Sequence, residues 1–562
     1  MRWRHLDKSL FVWVLLIGVL LVLVVNPLAR LLWASFEHGA TGAFTLENYA
    51  AAYGRWRYLE ALWNSLVLGL AVAVLGTVFG VPMAWAVSRT DMPAKGLVWA
   101  AILGTFIVPS YLGAVAWILL AGPNAGWLNR LYVWLTGAAS GPLNIYSMAG
   151  LVLVIACYSF PYAFVFTRSA LDLISSEMED AASTLGAGTL RTMLRVTLPL
   201  TLPAILGAFI VEFLEAIALF GAPALIALPA RFQVMTTMLW QFFEFPPKVQ
   251  VAAAYSMPLL GITVLLFWLQ RRIIARKGYV ALTGKGGERR LIRLGGWRWV
   301  MLGYCLFVTS LSFFLPMLVV LQAAFAKAWG RGFGLDNITL ENLRFVLIDQ
   351  PITRAATLHT FVYGGTAAAI ALGLGLSIAY IVHRRLVPLG GALAYIAMAP
   401  FVIPGIVLAI GFYAAYTTPP LVLYGGAWIL ILAFTTRFLP IAYANSDAAI
   451  RSLNPELEDA VRILGGGRLL AMRRVVGPLL KRGLAGAFIL VFIPATRELS
   501  SAIFLYTTGT QVLSVLLFDK SDEGNFEILS SIGLILVVIT VALVLAGFRL
   551  AGRDFMLKRT AS

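Results

Sequence analysis

Residues 176–188 read SEMEDAASTLGAG, and residues 455–467 read PELEDAVRILGGG. These first and second motif segments lie 279 positions apart. Each begins with acidic residues, which favour the positive end of a helix dipole, and each has a glycine where a left-handed C-terminal residue is needed. Ser176 and Glu179 have the spacing of a capping box, and Asn454 can cap the second segment. The pattern predicts a short amphipathic helix in each segment.

The repeated pattern resembles the EAA loop of binding-protein-dependent ABC importer permeases. In both halves a basic residue and a proline follow at matching positions, namely Arg195, Pro199, Arg474 and Pro478. The alternative is an interfacial helix that merely joins two membrane spans, but such a helix has no need of the same residues twice. The resemblance implies that the loops 176–200 and 455–482 each form a coupling helix that docks into a cleft of an ATPase subunit.

The resemblance assigns ATPase coupling to the acids, the small and apolar residues and the terminal glycines of both segments. These are Glu177, Glu179, Asp180, Ala181, Ala182, Leu185, Gly186, Glu456, Glu458, Asp459, Ala460, Val461, Leu464 and Gly465. We expect the shared acids to act through capping and through basic groups on the partner. Arg462 has no basic counterpart in the first segment, so we expect it to contribute little.

The composition is that of a membrane protein. The chain has 562 residues, of which 60% are hydrophobic and 12% charged, with a mean hydropathy of +0.86. So much apolar surface needs lipid as its solvent. The net charge of +17 suggests nucleic acid at first sight, but the basic residues cluster between apolar spans as the positive-inside rule predicts. Two cysteines in apolar runs and four scattered histidines indicate neither a disulfide framework nor a metal site.

The hydropathy predicts an all-α polytopic protein with about twelve transmembrane helices. A basic N-terminus followed by a long apolar run indicates an anchor rather than a cleaved signal peptide. The predicted spans lie near 10–33, 62–88, 97–121, 148–168, 201–222, 251–270, 299–325, 357–383, 389–415, 421–445, 483–505 and 528–549. Starting inside, they place both termini and both motif segments in the cytoplasm of a bacterial inner membrane.

The sequence repeat extends beyond the motif segments. Residues 45–48 (TLEN) recur at 339–342, and Val108-Pro109 corresponds to Ile403-Pro404. The change in offset predicts an insertion of about sixteen residues in the first half, in the external segment 122–147. The chain therefore reads as two parallel six-helix units, 1–270 and 299–562, joined by a basic cytoplasmic linker, 271–298.

The linker contains a glycine-rich stretch around Lys285 that lacks the spacing and the Ser or Thr of a phosphate loop. We therefore expect no cofactor bound by this chain and no enzymatic activity of its own, with ATP used by a separate subunit. The resemblance implies two copies of that ATPase, an external solute-binding protein and the lipid bilayer as partners.

The fifth predicted span carries Glu212 and Glu215, and the eleventh carries Arg497 and Glu498. Each of these charges costs roughly 2.5–3.5 kcal/mol at the membrane centre. One interpretation places them at the outer membrane surface, where the cost is small. The other places them in a cavity between the halves, as part of the translocation pathway or gate.

The same spans carry a closer resemblance, to fused iron(III)-type permeases. It rests on Phe213-Leu214-Glu215-Ala216-Ile217 before Phe220-Gly221-Ala222-Pro223, and on Arg497-Glu498-Leu499-Ser500. Leu219 departs from it, because an acidic residue is expected there. The resemblance implies import of iron(III) or a similar small solute, and related fused permeases handle thiamine, phosphonates or polyamines. A secondary transporter or a membrane enzyme would instead need ionisable residues in several spans, or a cluster of His, Asp or Cys.

Overall fold

The computed structural model describes residues 8–174, 178, 181–182, 184–244, 246–276, 291–387 and 389–551. Ten helices in this part of the chain are long and apolar enough to cross a membrane, and two bent pairs can each count as one more span. In chain order they are α1 (Phe11–Ser35), α2 (Trp56–Arg89), the pair α3 (Lys95–Ile107) and α4 (Ser110–Ala121), α5 (Met148–Asp172), α6 (Met193–Ala218), α7 (Val249–Ile273), α8 (Trp297–Ala324), α9 (Pro351–His383), the pair α10 (Gly390–Val402) and α11 (Gly405–Tyr416), α12 (Ala427–Arg451), α13 (Met472–Thr496) and α14 (Phe526–Leu550).

Shorter helices lie in the connections. They include Glu47–Tyr53, Trp127–Thr136, Gly221–Ile226, Met235–Gln241, Glu456–Ile463, Ala502–Leu505 and Leu513–Asp522. The predicted all-α polytopic fold is confirmed.

Two predicted spans, 97–121 and 389–415, are not single helices. They bend by 104° between α3 and α4 and by 113° between α10 and α11. Each bend lies at a proline, Pro109 or Pro404. A residue before proline is pushed out of the helical region, and Val108 and Ile403 are both extended, with ψ of 127° and 123°.

The two halves repeat the same packing. Helices α2, α5 and α6 pack together in the first half, and α9, α12 and α13 do so in the second. The TLEN repeat is structural as well. The Asn48 side chain donates to the carbonyls of Ser35 and Glu37 (3.2 and 2.9 Å), and Asn342 donates to those of Ala324 and Ala326 (3.2 and 2.7 Å). In each half an asparagine thus closes the end of the first helix.

The first helix of each half packs on the other half. Helix α1 lies against α10 and α11, and α8 lies against α3 and α4. Polar side chains mark both contacts: the Thr436 hydroxyl donates to the Leu23 carbonyl at 3.1 Å, and the hydroxyls of Thr105 and Ser312 are 3.1 Å apart. Interhelical hydrogen bonds and close packing are what hold helices together in lipid. The halves are therefore interlocked by exchanged helices.

Ordered structure is found in two of the predicted connections. The helix that contains α7 continues to Arg276, and α8 begins at Trp297, so ordered helices extend into both ends of the predicted linker 271–298. Leu294 is also fixed, since its amide donates to the Asp91 carboxylate at 2.9 Å. The phosphate-loop-like stretch lies largely outside the described residues. The inserted segment 122–147 holds the helix Trp127–Thr136, which the second half lacks.

The helix exchange predicts a disulfide between the halves. In a background with Cys157 and Cys305 replaced by alanine, Thr105→Cys with Ser312→Cys should cross-link under mild oxidation, because the native hydroxyls are 3.1 Å apart. With a protease site inserted in the linker, the two fragments should stay together on a non-reducing gel. The single-cysteine variants are the controls, and separation of the double variant would contradict the exchange.

Candidate functional sites

The second motif segment forms the helix Glu456–Ile463. The Asn454 side chain accepts from the Glu456 amide at 3.1 Å, which confirms the predicted cap. At the other end Gly465 has a φ of +81°, and the Gly466 amide donates to the Val461 carbonyl at 2.9 Å. This is the Schellman ending, in which a left-handed residue lets the chain turn back on the last carbonyls.

The first motif segment ends in the same way. Gly186 has a φ of +81°, and the Ala187 amide donates to the Ala182 carbonyl at 3.0 Å. Both predicted glycine stops are therefore left-handed. The acids Glu177, Glu179 and Asp180 lie outside the described residues, as does the predicted capping box of Ser176 and Glu179.

Glu458 points into the protein. Only 9% of the residue is exposed, and its carboxylate accepts from the Tyr380 hydroxyl at 2.7 Å and from two nitrogens of Arg384 at 2.9 and 2.6 Å. Tyr380 and Arg384 lie at the end of α9. The expectation that this acid meets basic groups of a partner is therefore wrong. Its ion pair fastens the motif helix to a membrane-spanning helix of the same half.

The apolar residues of the segments point outward instead. Leu185 is 88% exposed in the first segment, and Ile463 and Leu464 are 85% and 88% exposed in the second. Leu457 is also exposed. An ordinary amphipathic helix buries its apolar face and exposes its acids. The second segment does the reverse at Glu458 and Leu464, which is typical of a surface that another protein covers.

The other charged residues of the second segment are solvent-exposed. Arg462 reaches Asp459 at 3.4 Å, one turn away on the same helix, with both side chains about 60% exposed. Such a pair contributes about 0–1 kcal/mol. In the first half Arg89 occupies the repeat position of Arg384 and is buried, donating to the carbonyls of Leu171 and Ile174 at 2.6 and 2.8 Å. Both carbonyls precede the first motif segment closely in the chain, so Arg89 binds the backbone just before that segment.

A central cavity of about 410 Å³ lies between the halves. Residues from α3, α4, α5, α6 and α7 line it from the first half, and residues from α10, α12 and α13 line it from the second. Both proline bends open onto it. Three of the four predicted pathway residues, Glu215, Arg497 and Glu498, are among its walls. A volume of this size suits a small solute.

Arg437 also lines the central cavity, and the sequence analysis missed it. A single positive charge within the apolar span 421–445 was the signal that identifies it. It stands at the repeat position of Tyr158, which faces the same cavity. Glu215 lies within electrostatic range of both Arg437 and Arg497.

The two arginines cap the two helix breaks. Arg497 donates to the carbonyls of Phe106 and Ile107 (2.7 and 3.0 Å) at the end of α3, and Arg437 donates to the Ile403 carbonyl at 2.5 Å after α10. Cations stabilise the C-terminal ends of helices, where carbonyls lack intrahelical donors. The Arg497 contact crosses from the second half to the first. It therefore holds the two halves together at the cavity.

Glu212 does not line the central cavity, so the expectation that it belongs to the pathway is wrong. It is fully buried within the first half, where its carboxylate accepts from the Thr77 hydroxyl at 3.4 Å and from the Ala163 amide at 3.3 Å. Gly76 makes the room, because a Cβ there would lie 2.8 Å from the carboxylate. Glu212 therefore joins α6 to α2 and α5.

Comparison with known proteins decides the family. Residues 76–279 and 371–553 match the family described as "Binding-protein-dependent transport system inner membrane component". The chain belongs to this family. Each matched range contains one motif segment. The resemblance seen in the sequence is thus confirmed, and the protein is a multi-pass inner-membrane permease component.

Several relatives are permeases of named transport systems. The chain is 25% identical to the ferric transport system permease protein FbpB of Actinobacillus pleuropneumoniae, over 93% of this chain and 75% of that protein. It is 23% identical to a probable ABC transporter permease, y4fN, of Sinorhizobium fredii, over 98% of both chains. A putative 2-aminoethylphosphonate permease, PhnV, of Salmonella typhimurium is 26% identical over 43% of this chain and 90% of its own. Among solved structures, a bacterial ABC transporter for alginate import has a TM-score of 0.39 at 16% identity, covering 48% of this chain and 98% of that one.

The Glu458 contacts predict that this permease loosens its motif helix when the carboxylate is neutralised. Glu458→Gln removes the buried ion pair and leaves Arg384 without its partner, which is strongly destabilising locally. Trypsin should then cut at Arg462 about tenfold faster or more in the purified chain. Asp459→Asn, which removes an exposed carboxylate of the same helix, is the control and should change the rate little. Equal rates for both variants would contradict an anchoring role.

The left-handed glycine predicts a local cost at the end of the same helix. Gly465→Ala should make hydrogen exchange at residues 458–466 about fivefold faster, because a side chain at positive φ costs roughly 1 kcal/mol. Nothing lies within 4 Å of a Cβ at Gly465, so the effect comes from the backbone alone. Gly467→Ala, where φ is not positive and space is open, should leave the exchange unchanged. A similar effect of both substitutions would rule out the conformational explanation.

Proposed function

We propose that this chain is the membrane subunit of an ATP-driven importer, which translocates a solute delivered by an external binding protein. The observation that carries the proposal is the inverted burial of the motif helix. It buries Glu458 against Arg384 and leaves Leu464 and Ile463 exposed. The family of the chain, whose description names an inner-membrane component of binding-protein-dependent transport, supports the same function.

In this proposal both motif segments are coupling helices, and each docks with one copy of a separate ATPase subunit. Leu185 in the first segment and Leu464 in the second are repeat partners with equal exposure. They therefore present the same apolar side chain to the two identical clefts of the ATPase subunits. The ion pair to Arg384 passes a displacement of the second helix directly to α9. Closure of the ATPase dimer would draw the two helices together and move the two bundles apart at the central cavity.

We infer that both termini and both coupling helices lie in the cytoplasm, because the basic residues of the predicted loops follow the positive-inside rule. The chain itself hydrolyses nothing in this account, since ATP is used by the partner. We propose iron(III), or a similar small solute, as the cargo. The ferric permease of Actinobacillus pleuropneumoniae supports this choice because its similarity extends over 93% of the chain, whereas the phosphonate permease matches 43%.

The docking surface predicts a sharp effect of charge at Leu464. Ile463→Asp with Leu464→Asp places two carboxylates where apolar side chains are buried on assembly, so binding of the ATPase subunit should weaken by about 100-fold or more. Binding would be measured between the purified chain and its ATPase in detergent, together with ATP hydrolysis by the complex. Leu335→Asp, in a predicted external loop and 90% exposed, is the control and should assemble normally. Normal assembly of the double variant would refute docking at this helix.

A further inference from the structure

The central cavity is lined by two arginines and two glutamates, Arg437, Arg497, Glu215 and Glu498. Ser110, the first residue of α4, and Pro404, the residue just before α11, also line it. The first amides of a helix have no intrahelical acceptor, and the helix dipole makes this end positive. Two guanidinium groups and two helix N-termini therefore converge on one cavity. Such ends are ready-made sites for anions.

The two helix N-termini differ in their surroundings. At α11 the Glu498 carboxylate lies close by, 3.2 Å from the position of a Cβ on Gly405. The repeat position of Glu498 in the first half is Leu219, which also lines the cavity but has no charge. The first half thus has no acid at the position from which the second half supplies one. The N-terminus of α4 at Ser110 therefore has no counterpart of Glu498 beside it, and its positive dipole end is available to a ligand.

Three buried hydroxyls beside this end have no hydrogen-bond partner among the described residues. They belong to Tyr111, Tyr158 and Ser159, all lining the cavity and exposed by only 4%, 8% and 2%. Buried hydroxyls are normally paired, so each such group calls for an explanation. Gly113 brings Tyr158 close to α4, because a Cβ at that glycine would lie 2.6 Å from the tyrosine hydroxyl. The Tyr158 hydroxyl is therefore packed against the first turn of α4.

The carboxylates of the cavity already have donors. Glu498 accepts from the Ser501 amide and hydroxyl at 2.9 and 3.2 Å, and Glu215 interacts with the Tyr162 hydroxyl. No group of three His, Cys, Asp or Glu is placed to hold a metal ion in the part of the chain that the structure describes. The wall is built to receive an anion rather than to chelate a bare cation.

We propose that the central cavity binds the solute through an oxyanion group, phosphate, phosphonate or carboxylate, at the N-terminus of α4. Tyr111, Tyr158 and Ser159 donate from their hydroxyls, and Arg437 and Arg497 supply positive charge and further N–H donors. This inference rests on the proposed importer function and narrows its substrate class. The oxyanion is either part of the solute, as in a phosphonate, or a ligand that accompanies iron(III).

The test uses the full chain purified in detergent. Its melting temperature is followed against sodium phosphate, 2-aminoethylphosphonate, citrate and ferric citrate, with sodium chloride at matched ionic strength. A ligand that binds only the folded state raises the melting temperature with its concentration. We expect phosphate to stabilise the chain and chloride not to do so. Tyr158→Phe, Ser159→Ala and Arg437→Gln should each weaken the apparent affinity for phosphate about tenfold.

Tyr255→Phe is the matched control, since its hydroxyl is also buried but donates to the Tyr58 carbonyl outside the cavity. It should bind phosphate as the wild type does. Tight binding of 2-aminoethylphosphonate would support an oxyanion within the solute, and ferric citrate binding tighter than citrate would support one that accompanies iron. Equal stabilisation by chloride, unchanged affinity in all three cavity variants, or stabilisation that follows iron(III) with any chelator would overturn the site.

The outcome is separable from that of the importer function. If the chain assembles with its ATPase and hydrolyses ATP but binds no oxyanion, the site is wrong and the function stands. If it binds phosphate as expected but does not assemble, the function is wrong and the site stands.

Discussion

Two interrupted helices in the middle of a membrane protein impose the constraint that the rest of this structure satisfies. Val108-Pro109 and Ile403-Pro404 end α3 and α10 and leave backbone carbonyls without donors. Lipid offers no donor, so the protein must supply one. Arg497 and Arg437 do so, and each brings a charge into an apolar span. The two buried arginines, the cavity that they line and the Arg497 contact between the halves all follow from the two helix breaks.

The same breaks join the cavity to the distant second motif segment. Arg497 lies at the end of α13, and α13 begins shortly after the second motif segment. The Arg497 guanidinium donates to the Phe106 carbonyl at the end of α3, in the other half. Glu458 ties the motif segment to α9, which packs on α12 and α13. A displacement of the second motif helix therefore reaches the cavity through packed helices, the Glu458–Arg384 ion pair and the hydrogen bond from Arg497 to Phe106. Rigid helices that are connected by polar contacts at their ends suit a transporter that alternates between two states.

Much of this architecture could be predicted from the sequence. The repeat, the spans, the caps and the left-handed Gly186 and Gly465 follow from local patterns, because glycine and capping residues act within a few positions. The proline bends were visible as a repeated dipeptide, but a hydropathy window averages over them. The exchange of α1 and α8 has no local signal, since either half offers an apolar surface.

The cavity shows where sequence reasoning stops. Glu212 and Glu215 lie one turn apart on α6 and look alike in sequence. Gly76 on α2 makes a niche for Glu212, whereas Glu215 faces Tyr162 and the cavity, and only the packing of three helices distinguishes them. Glu458 was expected to face a partner because acids are usually exposed. Its burial depends on Arg384, which lies 74 positions earlier in the chain.

In the proposed function, an ATPase draws the two motif segments together and thereby opens the central cavity. Gly188 and Gly467 are repeat partners beside the two motif segments, both open to solvent with nothing within 4 Å of a Cβ. Spin labels on Gly188→Cys and Gly467→Cys in the assembled complex would report the distance between the segments. The account predicts that ATP shortens this distance. A distance that does not change when ATP binds would contradict it.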